Sequence, residues 1–105
     1  MEYIEKMDKL IIIVKASFAG LIGYGSVYQC QVLKTVKGNI NESNITITIL
    51  QNDTVNQSFL SSHTGLQFEM GLKIKAHNEP YNLMPISGFV DDNKTSWEIE
   101  YLKDH

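Results

Sequence analysis

Residues 24–50 read YGSVYQCQVLKTVKGNINESNITITIL. Apolar and polar side chains alternate in two runs, and a polar, asparagine-rich stretch separates them. In the second run Ile45, Ile47 and Ile49 share one parity and Thr46 and Thr48 the other. That is the period of a half-buried strand, with Leu50 interrupting its polar side. In the first run, 26–36, Tyr28, Cys30 and Val32 oppose Gln29 and Gln31. Between the runs, Gly38-Asn39-Ile40-Asn41-Glu42-Ser43-Asn44 supplies turn residues. The stretch therefore predicts an antiparallel pair at the middle of a mostly β domain. The adjacent apolar residues Val32 and Leu33 break the alternation and predict a β-bulge, a device that bends a sheet toward a barrel.

Working outward, 10–18 reads as a first strand. Leu10, Ile12, Val14, Ala16 and Phe18 form its core face, and Ile11, Ile13, Lys15 and Ser17 the other. Gly20, Gly23 and Gly25 then mark a turn. Glycines so placed cradle a phosphate only where a helix N-terminus follows, and here a strand follows. Within 51–64, Val55, Phe59 and Leu60 are spaced for a short helix that plugs one barrel end. Residues 66–76 form the longest alternation, with Leu66, Phe68, Met70, Leu72, Ile74 and Ala76 on one side. Gly71 leaves a gap on its solvent face. Pro80 and Pro85 fall in a loop over 77–86. Residues 88–90 lead into a hairpin that turns at Asp91-Asp92-Asn93-Lys94 and returns over 95–102, with Trp97, Ile99 and Tyr101 inward. At the start, Tyr3, Ile4 and Met7 share one face of a short helix or a frayed lead-in. The whole reads as a single domain, 1–105, mainly β. It has five or six antiparallel strands in an OB-like Greek-key barrel or small sandwich, with one or two short helices.

Composition narrows the function. The chain has 105 residues, a net charge of −3, and nine basic residues that are all lysine. Without the planar guanidinium fork, and with acidic balance, it is a poor match to generic nucleic-acid binding. Cys30 is the single cysteine, so no internal disulfide forms, and its parity predicts a buried, inert thiol. The apolar run 10–14 is too short to span a bilayer. Asn41, Asn44, Asn52, Asn56 and Asn93 each head an Asn-x-Ser/Thr sequon, which carries a glycan only in a eukaryotic secretory context. A native start at Met1 implies the cytoplasm; a removed leader implies secretion or surface exposure.

The segment Val32-Leu33-Lys34-Thr35-Val36-Lys37-Gly38, its polar loop and Ile45-Thr46-Ile47-Thr48-Ile49 resemble the netrin-like domain, the family that includes the tissue inhibitors of metalloproteinases. Ile12-Ile13-Val14-Lys15-Ala16 likewise resembles that family's first strand. The resemblance covers the first half of the chain and implies an OB-like barrel. The family's inhibitors begin on a cysteine that chelates the protease zinc; here Met1 leads, and the family's disulfides are absent. The resemblance therefore implies the fold and not protease inhibition.

Candidate chemistry is sparse. His63, His77 and His105 match no metal-ligand spacing and read as loop histidines. Cys30 with His63 lacks the sequence context of a thiol nucleophile. Asp91-Asp92 belongs to a turn. Glu98 and Glu100 sit on the outer face of a terminal strand, where like charges blunt an edge; glycosidase chemistry needs two carboxyls across a cleft. No catalytic residue, metal or cofactor is expected. Lys73 and Lys75 share an outer strand face, and Tyr24 and Tyr81 lie in loops where an exposed tyrosine can anchor a partner. These four are the candidate binding residues. The expected function is a non-catalytic module that recognises a protein or small ligand through its loops. The alternative is an OB-fold single-stranded nucleic-acid binder that stacks bases on Tyr28 beside Lys34 and Lys37.

Overall fold

A computed structural model describes residues 8–77 and 86–105. The alternating segments form β1 (Lys9–Ile22), β2 (Gly25–Lys37), β3 (Asn44–Leu50), β4 (Gln67–His77), β5 (Gly88–Val90) and β6 (Thr95–Asp104), with helix α1 (Thr54–Ser62) between β3 and β4. All pairings are antiparallel, and the sheet closes in the ring order β1-β2-β3-β5-β6-β4. The expected small OB-like barrel with a helix after its third strand is thus what the chain builds, with six strands and one helix among the described residues. The proposed lead-in helix at the N-terminus and most of the proline loop lie outside the described residues. Among the described residues, no helix is long and apolar enough to cross a membrane.

Side chains at every second position fill the barrel. Ile12, Val14, Cys30, Ile47, Ile49, Phe68 and Met70 are wholly excluded from solvent, and no buried side-chain polar atom among the described residues lacks a hydrogen-bond partner. Four inward assignments change. Phe18 keeps the core parity but is 55% exposed, because β4 runs beside β1 only as far as Lys15. Its ring still meets that of buried Tyr28 edge to face at 5.6 Å. Leu66 precedes β4 and is exposed, and so is Val55 on α1, whose apolar side chains against the core are Leu60 and Phe59. Ile13 is buried although its parity points outward.

The fourth change follows from a bulge. Gly71 pairs with Tyr101 and Leu72 with Ile99, so Glu100 is the extra residue in β6. From there the parity reverses: Leu102 packs against the core and Tyr101 turns to the outer face. Its ring lies over Gly71, where an added Cβ would stand 2.1 Å from Cε2. The expected solvent-face gap is therefore occupied. The bulge expected near Val32-Leu33 is present: Val14 faces Val32 and Ile13 faces Lys34, which leaves Leu33 unpaired on β1.

The β1–β2 hairpin is longer than the glycines suggested. Gly20 and Gly25 lie within the strands, and the turn is Gly23-Tyr24 alone. At about 3.3 Å per residue a strand of this length extends on the order of 46 Å, which matches the 47 Å long axis of the molecule.

Candidate functional site: the cleft at the β3–β5 seam

β3 is paired with β2 along its whole length, from Gly25↔Leu50 to Gln31↔Asn44, but with β5 at Thr48↔Gly88 alone. The seam is tied at both ends by side chains. At one end Ser87 Oγ accepts the Leu50 N–H at 3.0 Å. At the other, Glu42 Oε2 accepts the Asp92 N–H at 2.9 Å. Between these ties lies a cleft of about 240 Å³. Tyr24, Thr46 and Val90 form its exposed rim, with Thr48 and Ile86 half-buried, over a floor of Gly88, Phe89 and Ser96.

Sequence and packing explain the walls. The threonines are the outward parity of β3, opposite the isoleucines in the core. Gly88 permits the close approach of β5 to β6, since a Cβ there would stand 1.8 Å from the Trp97 carbonyl oxygen. The β5–β6 hairpin is held by Asp91, whose carboxylate accepts from the Asn93 and Thr95 backbone N–H groups and from Trp97 Nε1 at 2.9 Å. This accounts for the turn reading of Asp91-Asp92. The helix is tied to the same end of the seam. Asp53 caps α1 by accepting from the Asn56 N–H. Burial pushes its carboxyl up, but hydrogen bonds from the Ser87 hydroxyl and from Asn56 outweigh this and hold it below its ordinary value.

The cleft carries hydroxyls, apolar surface and one phenol, with no ionised group in its lining among the described residues. Drug-sized ligands occupy roughly 300–1,000 Å³; this cleft is smaller and has the capacity of a single inserted side chain.

Of the four candidate binding residues, Tyr24 stands at this rim, 45% exposed. Lys73 and Lys75 are exposed on β4, which is three places from β3 in either direction around the ring. Tyr81 lies outside the described residues. The structure thus brings Tyr24 to the cleft and places the lysines on the opposite wall. Thr46, Thr48, Val90 and Ser96 escaped the sequence reading. Their alternation is visible, but nothing local says that β3 and β5 meet.

The other candidates fall elsewhere. Cys30 is fully buried and burial pushes its thiol up to about 12. Tyr28 is in the core, while Lys34 and Lys37 are exposed. His63 lies in the connection between α1 and β4, where it caps the C-terminus of the helix, stacks on Phe59 at 3.7 Å and hydrogen-bonds Asp104 through Nε2. His77 ends β4, and His105 follows β6. Among the described residues, no three His, Cys, Asp or Glu side chains gather as a metal site requires. Compared with known proteins, the chain matches no family model, no curated protein and no solved structure.

Proposed function

We propose that the chain is a non-catalytic binding module that receives an apolar or hydroxyl-bearing side chain of a protein partner in the β3–β5 cleft. The observation that carries this reading is the cleft itself: a side-chain-sized recess rimmed by Tyr24, Thr46 and Val90, with no charged side chain among its described lining. Tyrosine at a rim is a common anchor of protein interfaces, because it offers a large rigid surface with a polar tip. The filled barrel supports the same reading, since its interior side chains are apolar and close-packed. The nucleic-acid alternative gains no support, because its stacking platform, Tyr28, is 4% exposed. A base cannot stack on a ring buried in the core.

Selection of displayed peptides against the folded protein tests the proposal. Selected peptides should shift the amide resonances of Thr46, Thr48 and Val90. Thr48→Arg, which fills the cleft from its half-buried wall, should weaken them by about tenfold or more. Peptides that bind equally well to Thr48→Arg, or hydrolytic turnover by the purified protein, would overturn it.

A further inference from the structure

The far half of β1 leaves the barrel with one edge unpaired. β4 accompanies β1 from Lys9 to Lys15, and the Gly65 N–H closes on the Ala16 carbonyl at 3.0 Å. Beyond that point, residues 17–22 pair with β2 only, through Ser17↔Gln29, Phe18↔Tyr28, Gly20↔Val27, Leu21↔Ser26 and Ile22↔Gly25. Among the described residues no other strand reaches this edge. It carries exposed Phe18, Leu21 and Ile22, with Leu21 77% accessible. It also lies in the longest uncharged stretch of the chain: no Asp, Glu, Lys or Arg occurs from Ala16 to Leu33.

From this juxtaposition we infer that the 17–22 edge of β1 is a self-association surface, on which a second copy of this chain adds its own β1 edge antiparallel across a two-fold axis. Three features select that occupant. The open backbone donors and acceptors call for an extended strand, and they oppose insertion into lipid, where unpaired backbone groups have no partners. A two-fold contact sets the segment against a copy of itself, so any net charge on it would face the same charge, and this one carries none. With the axis near Gly20, Phe18 of one copy lies opposite the partner's Ile22, so apolar side chains meet apolar ones.

The geometry also sets the strength. Ala19 has no partner on β2 and Gly20 takes φ of 151°, so a bulge twists the edge and limits pairing to a short run. A contact confined to six strand residues per copy falls at the small end of interface sizes, the scale of weak, transient contacts. The dimer is therefore one of high protein concentration.

Sedimentation of the whole chain from about 10 μM to about 1 mM reads the association directly. The mass should rise from the 11.9 kDa monomer toward twice that value. Leu21→Lys, at a side chain free of the core, should weaken association by about tenfold or more, since it sets like charges across the axis. Val55→Lys, on the exposed face of α1, should leave it unchanged. Dilution of the unaltered chain should shift amide resonances of 17–22, a readout that needs no variant. A monomer throughout, a dimer indifferent to Leu21→Lys, or co-flotation of the monomer with phosphatidylcholine vesicles would overturn the inference. None of these outcomes bears on the β3–β5 cleft.

Discussion

At the residue scale, Gly71 and Tyr101 depend on each other. The tyrosine ring occupies the space that a side chain at 71 would need, and its hydroxyl donates to Glu69 Oε2 at 2.6 Å. Burial, and then that carboxylate, push the phenol up to about 12. Gly71→Ala displaces the ring and forfeits its hydrogen bond, at a cost of about 1–3 kcal/mol. In a Tyr101→Ala background the same substitution should be near neutral or stabilising, because alanine suits a strand better than glycine once the ring is gone. Urea denaturation of the four proteins measures the coupling; additive costs would show that the ring does not depend on the glycine. The sequence displayed Gly71 as a gap but did not say what fills it. Strict alternation assigns Tyr101 inward, and only the bulge at Glu100, set by pairing with β4, turns it over.

At the scale of elements, α1 is attached to the barrel at both ends. At its start Asp53 reaches Ser87 and Asn56, and Gln57 Nε2 lies 3.1 Å from Ser26 Oγ and 3.2 Å from the Ile49 carbonyl oxygen. At its end His63 Nδ1 faces the Phe59 carbonyl oxygen at 2.8 Å and Nε2 faces the Asp104 carboxylate of β6. With acceptors at both ring nitrogens, the imidazolium is the favoured form, and the Asp104 hydrogen bond leads in raising the His63 pKa. Its position at a helix C-terminus favours positive charge further. A raised folded value fixes the sign. The stabilisation is complete below the unfolded value, about 6.5, and is lost as pH rises through the higher folded value. Asp104→Asn, at a side chain 83% exposed, should therefore lower stability near pH 5 more than near pH 8.5 relative to the unaltered chain. Urea titrations at the two pH values read the gap; a gap that widens with pH would show that the charged pair is not the link. The helix itself was legible from Phe59 and Leu60. Its orientation was not, because spacing alone admits Val55 to the inner face, and packing leaves it in solvent.

At the scale of the molecule, the barrel is unevenly closed. β1 is held on both sides over residues 11–15, whereas β5 contributes three residues and meets β3 at one pair. Local opening follows the density of pairing and burial. Amide hydrogen exchange should therefore be fastest, among the strands, in β5, and slowest in the β1 and β4 residues that face each other. Protection of β5 equal to that of β1 would show that the seam is as firmly closed as the rest of the ring. What the sequence determined by itself is the set of strands, most of their inward positions, the helix between β3 and β4 and the bulge at Leu33. Each of these is written in side chains one to four positions apart, and burial of every second residue is a local rule. The tertiary structure alone decided that β3 meets β5 at Thr48 and Gly88, that Phe18 runs past the end of β4, and that Tyr101 covers Gly71. These depend on register between segments far apart in the chain, where a shift of one residue reverses every side chain and no neighbouring residue records the choice.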